Sequence, residues 1–406
     1  MKTTGGESNP ADYLEPVMAS KDTTVRLLAN IEELGLLIRP RSAEMESTGR
    51  IPLAVIDSLK RIGVFRIFAP RRYGGLELDF PDGLELIQAA ARIESSVGWT
   101  VMISAGNGLM ASRLPRETCD RVYRTGPDTI FAGSLRIEGR AEATEDGWLV
   151  NGRWPFGSAC QNADWIYGLC FMTKGGQPLL APSGEPLVRG CFLPSRDWQI
   201  RNNWQVAGLK ATGSHDIELT NAIVPESHLF DLVDEPKHQL GPLYRVPKPF
   251  LPLILASSLL GMAAGALDEI IQLASTSWQP HHAPSLMRHS EHFQAEIGRI
   301  GTEFKAAQCY LRVQAATHWN HALDGTMKTE PFVTDAVQTA TWTARACTGI
   351  ADACFALGEG YAVYDSSGLH RRLRDLQVGS QHYLTQKRQY IRVGKLLLTS
   401  GKCAPI

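Results

Sequence analysis

The sequence predicts an α+β protein of three parts: an N-terminal helical domain, a central β barrel or sandwich, and a C-terminal four-helix bundle. Three observations predict this order. Apolar residues recur at helical spacing in the first part, at alternate positions in the second, and at helical spacing again in the third. The corresponding boundaries are expected at 1–127, 128–233 and 234–406.

The N-terminal part has the pattern of several helices interrupted by one loop. Val25, Leu28 and Ile31 recur at three-residue steps, which places apolar side chains on one helical face. The segment 68–76 contains a proline and two adjacent glycines, which favour a loop. Three further helices are expected after this loop, at 82–94, 96–114 and 115–124.

The central part has the two-residue period of β-strands. Its clearest turn is Asp146-Gly147, a pair that favours the positive-φ turn of a hairpin. The strand that follows places Val150, Gly152 and Trp154 on one face, because successive side chains alternate between the two faces of a strand. Six to eight strands are expected in all.

The C-terminal part has four long segments of helical period, joined by short connections that predict an antiparallel bundle. These segments are expected at 253–276, 287–321, 332–357 and 369–398. The uncharged run 249–267 is about long enough to span a bilayer. It is rich in glycine, alanine and serine and continues as an amphipathic helix from Asp268, so a buried bundle helix is expected.

The composition excludes several classes of function. The chain has 41 basic and 42 acidic residues. This balance does not indicate the excess of basic residues expected of a nucleic-acid or membrane-surface protein. Neither an apolar signal sequence nor a zinc-like cysteine spacing is visible, which predicts a cytoplasmic protein with reduced thiols. The histidines of 281–292 lack a set of carboxylates beside them, so no metal site is expected.

The segment 152–165 combines a large aromatic residue with a nearby hydroxyl group. Trp154 ends the strand after the hairpin, and Ser158 follows a glycine. An apolar wall beside an exposed hydroxyl suits a flat heteroaromatic cofactor, with Trp154 covering the ring face and Ser158 bonding a ring-edge nitrogen. The competing interpretation is a core tryptophan beside a turn serine.

Segments in a fixed order along nearly the whole chain resemble the acyl-CoA dehydrogenase superfamily. They lie at 63–75, 96–99, 152–158, 208–216 and 373–375.

In many dehydrogenases of this superfamily, a glutamate about two turns after an Arg-Asp pair abstracts the α-proton of an acyl thioester. In this chain, the corresponding position after Arg374-Asp375 has no carboxylate and is occupied by His382 instead. A histidine there resembles the two-component (group D) flavin-dependent monooxygenases.

This resemblance implies an enzyme that receives FADH2 or FMNH2 from a separate NAD(P)H:flavin reductase. It would insert one atom of O2 into an aromatic substrate through a C4a-(hydro)peroxyflavin. A homotetramer, or at least a homodimer, is also implied. Two alternatives are an acyl-CoA dehydrogenase-like flavoprotein that oxidises a thioester, amine or nitro compound, and a catalytically silent homologue that binds a ligand.

The same resemblance implies a set of site residues. The catalytic residues expected are His382, Ser158, Asp375 and Asn107. The flavin is expected to contact Trp154, Phe156, Ser158, Ser134, Thr212, Gly213 and Ser214, with Arg299 as the nearest cation on the bundle. The substrate is expected to contact Trp99, Asn107 and Tyr383.

Helical spacing adds an expectation about His382. Steps of four, four and three residues place Arg371, Asp375, Gly379 and His382 along one stripe of a continuous helix. Either Asp375 or Arg371 could then orient or tune the imidazole for proton transfer.

Two departures from the family pattern limit the substrate and the cofactor. Gly106-Asn107 stands where several phenol hydroxylases of this group carry a histidine, which favours an indole-like or other heteroaromatic ring over a phenol. The Arg-x-x-Phe-Gly element that supports the FAD pyrophosphate in the dehydrogenases is absent at 277–282, so both FMN and FAD remain open.

Overall fold

Residues 11–231 and 241–400 are described by the structure, which is a computed structural model. The N-terminal part forms helices where the sequence predicts them. The six α-helices are α1 (Ala11–Ile38), α2 (Ser42–Thr48), α3 (Leu53–Ile62), α4 (Phe80–Ile93), α5 (Ser95–Ala111) and α6 (Arg116–Val122). Pro52 precedes the first turn of α3, and Glu94 caps α5 by accepting the Val97 N–H at 2.7 Å.

Eight strands follow, within the number predicted. They are β1 (Phe131–Thr144), β2 (Gly147–Trp154), β3 (Trp165–Lys174), β4 (Gln177–Pro178), β5 (Val188–Pro194), β6 (Gln199–Arg201), β7 (Asp216–Val224) and β8 (Leu229–Phe230). They form one mixed sheet in the order β6-β7-β2-β1-β3-β5-β8, with β4 paired to β3. Strands β1 and β3 are parallel, and the other pairs are antiparallel. The antiparallel pair Thr144 and Gly147 confirms the predicted hairpin, with Glu145 and Asp146 at its tip, and Gly147 has a φ of 133°.

The C-terminal part is again helical, and residues 232–240, around the expected boundary between 233 and 234, lie outside the described residues. The helices are α7 (Pro242–Arg245), α8 (Phe250–Ser275), α9 (Glu291–Leu323), α10 (Thr329–Leu357), α11 (Glu359–Ala362), α12 (Gly368–Gly379) and α13 (Tyr390–Ser400).

The prediction of one continuous helix over 369–398 is wrong in its middle. The chain leaves the helix after Gly379, and side chains instead of the next helical turn satisfy the carbonyl of Ser380. Thr385 Oγ1 donates to this carbonyl at 2.9 Å, and Gln386 Nε2 donates at 3.3 Å. His382 lies in this break.

Within the described ranges, α8 is the one helix long and apolar enough to cross a membrane. Of its most apolar 18-residue window, 94% is buried inside the protein, so the expectation of a buried bundle helix is confirmed. This helix packs against α4, α10 and α12.

The apolar side chains form two cores. One contains residues of both helical parts, such as Leu86 of α4 and Leu259 of α8, so the two ends of the chain share one core. The other lies within the sheet and includes Val150 and Trp154.

Arg372 of α12 joins the two helical parts through polar contacts. Its guanidinium donates to the carbonyls of Ala91 at 2.9 Å, Arg92 at 2.7 Å and Ile93 at 2.8 Å, where α4 ends. These carbonyls have no partner within their own helix. The arginine therefore supplies hydrogen-bond donors to a buried helix end. Helix α12 is thereby fixed against the junction of α4 and α5.

Candidate active site

Two neighbouring loops bring the predicted hydroxyl residues together. The 155–160 loop follows β2, and the 208–215 loop precedes β7. The Gly157 N–H donates to the His215 carbonyl at 2.9 Å, and the Ala159 N–H donates to the Thr212 carbonyl at 3.0 Å. The two loops therefore form one hydrogen-bonded unit.

Both loops contain residues in the left-handed region of φ. Phe156 has a φ of 65°, Ala159 of 67° and Leu209 of 53°. A side chain disfavours this conformation, which persists only where surrounding contacts determine it, and such strain concentrates at functional sites. Gly213, at 52°, adopts the same conformation without that cost.

His215 anchors the 208–215 loop in its neutral form. Its Nδ1 accepts the backbone N–H groups of Asn203 at 3.1 Å and Trp204 at 3.0 Å, and its Nε2 lies 2.9 Å from Gln161. Burial lowers the pKa of this imidazole. The ring therefore acts as a fixed acceptor for the backbone of the neighbouring turn.

A continuous row of hydrogen bonds, here called the hydroxyl chain, connects helix α5 with both loops. Trp99 Nε1 donates to Ser158 Oγ at 3.2 Å, and Ser158 Oγ lies 2.7 Å from Ser214 Oγ. Ser214 Oγ lies 2.7 Å from Thr212 Oγ1, which donates to the Leu209 carbonyl at 2.7 Å. All four side chains are buried.

His382 packs against the Trp99 indole. The two ring centroids are 6.3 Å apart with an edge-to-face angle of 67°, and the Tyr383 ring follows at 4.9 Å. His382 Nδ1 accepts the Leu384 N–H at 3.3 Å, so the proton of the neutral ring resides on Nε2. Burial lowers the pKa of His382 to about 4, which keeps it uncharged at neutral pH.

Asn107 adds an unpaired donor on the same helix as Trp99. Its Oδ1 accepts the Tyr167 hydroxyl at 3.2 Å, whereas its buried Nδ2 has no partner among the described residues. An unpaired buried amide is costly in isolation, which makes it a candidate ligand contact. Sequence reasoning missed Tyr167, because the strand pattern of 165–171 shows only that its side chain alternates with its neighbours.

Trp154 is not placed to cover a ring of a bound cofactor, contrary to the sequence-based expectation. Its side chain is 0% exposed, and its Nε1 donates to the Leu169 carbonyl at 2.7 Å. A Cβ at Gly139, Gly152 or Gly168 would overlap this indole, so glycines on three strands make room for it. The competing interpretation of a core tryptophan is therefore correct.

Phe156 is the aromatic residue of this segment that remains accessible. It is 57% exposed, follows β2 by two residues, and stands edge to face with Trp204 at 6.3 Å. Its left-handed φ turns the chain out of the sheet just before Ser158.

Asp375 does not orient His382, and the predicted stripe is wrong because the helix ends at Gly379. The buried carboxylate of Asp375 accepts the Leu209 N–H at 2.6 Å, and neither it nor Arg371 bonds to the imidazole. Asp375 therefore holds the 208–215 loop rather than the reacting groups. Burial raises its pKa.

Glu94 is a second buried carboxyl group beside Asp375, and sequence reasoning missed it. Burial, followed by the charge of Asp375, raises the pKa of Glu94 to about 7, against the opposing hydrogen bond from Val97. The sequence signal was present: Glu94 directly precedes Ser95-Ser96 at a helix start, the place where capping residues occur.

Ser134 and Arg299 were also expected at the flavin site. Ser134 is buried in β1, and its Oγ accepts the Arg136 N–H at 3.3 Å. Arg299 lies on the exposed side of α9, where Glu296 and Glu303 bind it at 2.8 and 2.7 Å. No described contact joins either residue to Ser158 or His382.

A charged cavity of about 690 Å³ lies apart from the hydroxyl chain. Helices α1, α8 and α12 contribute to it, and Arg39, Arg92, Arg371 and Arg372 are among its lining residues. Across the described ranges, no group of three or more His, Cys, Asp or Glu side chains is placed to hold a metal ion.

Comparison with known proteins places these features in a family. The family model of the acyl-CoA dehydrogenase N-terminal domain matches residues 34–116, and that of the C-terminal domain matches residues 253–387. Among solved structures, XiaF from Streptomyces in complex with FADH2 and glycerol superposes with a TM-score of 0.85 at 21% identity, covering 96% of this chain and 98% of that one. Dibenzothiophene monooxygenase from Paenibacillus in complex with FMN and indole superposes with a TM-score of 0.75 at 19% identity. This match covers 92% of this chain and 97% of that one. These likenesses confirm the predicted fold class.

Sequence relatives narrow the family further. An indole-3-acetate monooxygenase from Acinetobacter baumannii is 31% identical over 367 residues, covering 90% of this chain and 91% of that protein. The oxygenase component of an FADH2-dependent resorcinol hydroxylase from Rhizobium is 28% identical over 62% of each chain. The protein therefore belongs to the acyl-CoA dehydrogenase superfamily, in its branch of flavin-dependent monooxygenases.

Proposed function

We propose that this monooxygenase inserts one oxygen atom of O2 into an indole-like aromatic substrate, in the space bordered by the hydroxyl chain, His382 and Asn107. The observation that carries the proposal is the position of Trp99. Its N–H donates to Ser158 at 3.2 Å, and its ring packs edge to face with that of His382, the ring centroids being 6.3 Å apart. One buried indole thus joins the group that would hold the cofactor to the group that would face the substrate.

The residues present fit a flavin. Phe156 offers an accessible aromatic face directly before Ser158, whose buried oxygen retains a lone pair. When bound, the reduced flavin supplies two electrons to O2, so that one oxygen atom goes to the substrate and the other leaves as water. Ser158 would accept the N5–H of the flavin, and Phe156 would exclude water from its face.

His382 and Asn107 supply donors on the substrate side. With Nδ1 occupied by the Leu384 N–H and the pKa lowered to about 4, His382 acts at neutral pH through its Nε2–H. We therefore assign it the role of a hydrogen-bond donor rather than a proton acceptor. Asn107 Nδ2 supplies a second N–H, for which the described part of the chain offers no partner. Together they could bind an acceptor atom of the substrate and hold its ring over the flavin.

Three further properties follow from the relatives and from the bundle. The reduced flavin would come from a separate NAD(P)H:flavin reductase, because several relatives are oxygenase components or subunits. The protein would work in the cytoplasm as a homotetramer or homodimer, which light scattering at micromolar concentration would test. It would bind oxidised flavin weakly and purify nearly colourless.

The function is tested by reconstitution with NADH, a generic flavin reductase, and either FMN or FAD. Under ¹⁸O2, indole or indole-3-acetate should gain one labelled oxygen atom, detected by mass spectrometry. Formation of hydrogen peroxide alone across a set of indoles would contradict the proposal and favour a catalytically silent homologue. Anaerobic reduction of bound flavin by an acyl thioester would favour a dehydrogenase.

A further inference from the structure

The direction of each bond in the hydroxyl chain is fixed by its two ends. At one end the Trp99 indole N–H can only donate, so Ser158 Oγ accepts there. At the other end the Leu209 carbonyl can only accept, so the single hydroxyl proton of Thr212 is donated to it at 2.7 Å.

The remaining directions follow from one proton per hydroxyl group. Since the Thr212 proton is committed to Leu209, the contact between Thr212 and Ser214 requires Ser214 to donate. Ser214 then has no proton left for Ser158, so Ser158 donates to Ser214 across 2.7 Å. Ser158 is left with one free lone pair and no free proton.

We propose that Thr212, acting through Ser214, makes Ser158 a hydrogen-bond acceptor only, and that this selects reduced over oxidised flavin at the site. The inference rests on the proposed placement of Ser158 against flavin N5. In reduced flavin N5 carries a hydrogen atom and donates, whereas in oxidised flavin N5 offers only a lone pair. Ser158 as oriented here can bind the first form but not the second.

Binding the oxidised form through Ser158 would require the whole chain to reverse. The Leu209 carbonyl would then lose the Thr212 hydroxyl and keep the Trp204 Nε1–H at 3.1 Å and the Thr212 backbone N–H at 3.2 Å. Reversal therefore costs about one hydrogen bond, which corresponds to a preference of roughly two- to tenfold for reduced flavin from this contact. Thr212 and Ser214 are positioning residues, since their hydroxyl groups act through Ser158.

The test is the ratio of the two dissociation constants, oxidised over reduced, measured for FMN and for FAD. The oxidised form is titrated in air by flavin fluorescence, and the reduced form is titrated anaerobically. Thr212→Val frees the Ser214 proton to turn toward Ser158, which would then accept two bonds and hold a free proton. The ratio should fall by about four- to a hundredfold, and the potential of the bound flavin should become more negative.

Three companion variants distinguish an effect of hydrogen-bond direction from a general loosening of the loop. Ser214→Ala leaves Ser158 able to donate or accept, so the ratio should fall by only about two- to tenfold, with reduced flavin still bound. Thr212→Ser restores the hydroxyl group and should restore the ratio. Thr348→Val removes a threonine hydroxyl that bonds only within α10, and it should leave the ratio unchanged.

The outcomes distinguish this inference from the proposed function. If Ser158→Ala weakens reduced flavin but Thr212→Val and Ser214→Ala keep the wild-type ratio, the inference fails and the flavin site stands. If Ser158→Ala leaves reduced-flavin binding unchanged, the placement of the flavin itself is wrong. Should Thr212→Val not fold, an unchanged ratio in Ser214→Ala alone would overturn the inference.

Discussion

The carboxylate of Asp375 accepts the backbone N–H of Leu209 at 2.6 Å, across 166 positions of sequence. Leu209 is the left-handed residue whose carbonyl ends the hydroxyl chain. A residue of helix α12 thus fixes the loop that orients Thr212 and Ser214. Asp375 acts on the site through the backbone rather than through the imidazole.

Replacement of Asp375 should reveal this role. Asp375→Ala leaves the buried Leu209 N–H without a partner, and we expect a loss of about 1–3 kcal/mol in the free energy of unfolding together with weaker reduced-flavin binding. Asp375→Asn retains an acceptor oxygen and should lose much less of both. Denaturant titration and anaerobic flavin titration measure the two effects, and equal losses in both variants would show that charge rather than the hydrogen bond matters.

Ser158→Ala should uncouple oxygen consumption from product formation. Loss of the bond to flavin N5 should weaken the bound state by about 1–3 kcal/mol, which corresponds to roughly five- to 150-fold in a rate or a dissociation constant. Hydrogen peroxide formed per NADH consumed should rise. Ser112→Ala removes a buried serine hydroxyl that bonds only within its own segment, and it serves as the matched control. Unchanged coupling in Ser158→Ala would remove Ser158 from the site.

His382→Ala should slow oxygen transfer by a factor that does not depend on pH. Because the folded pKa is lowered to about 4, wild-type His382 stays neutral from pH 5 to 8. A lost hydrogen-bond donor is expected to cost about tenfold, and His382→Gln, which keeps an N–H donor, should recover part of it. Rates of product formation at several pH values check this. If the ratio of the wild-type rate to the variant rate instead changes with a pKa near 6.5, the protonated form of His382 is the one that acts.

Glu94 should make stability depend on pH in the opposite sense to an ordinary carboxyl group. Its folded pKa is raised from 4.5 to about 7, so its protonated form is favoured by folding. This contribution is fully present below pH 4.5 and is lost as the pH rises through about 7. Glu94→Gln keeps an acceptor for Val97 and stays neutral, so the variant should gain melting temperature relative to wild type as the pH rises from 5 to 8. A difference that is constant with pH would show that Glu94 is ionised throughout.

The three-part order of the chain could be predicted because the apolar period changes from helical to two-residue and back to helical along the sequence. The end of α12 could not, because helical spacing continues past Gly379 and no proline marks the break. At the break, the nearby side chains of Thr385 and Gln386 satisfy the Ser380 carbonyl, a local arrangement that apolar spacing does not reveal. The expectation that His382 continues the helix of Asp375 was wrong, and its role in the site stays a prediction.

The segment around Trp154 shows a similar limit. Strand alternation correctly grouped Trp154 with Val150, and both belong to the core within the sheet. Alternation cannot tell which face of a strand is buried deeper, so the wall of a binding site and the core of a sheet have the same pattern. Nor could spacing have linked Trp99, Ser158 and Thr212, which come from three separate segments of the chain.

The contacts of Arg372 join the end of α4 to a helix that is synthesised much later, which bears on how this protein folds during synthesis. The guanidinium reaches the Ala91 carbonyl across 281 positions, so the ribosome completes α4 and α5 long before α12 exists. Until then the apolar faces of the early helices have no permanent cover, and such faces aggregate or engage chaperones. Production in a foreign host should therefore depend more on elongation rate and chaperone supply than on the stability of the finished enzyme.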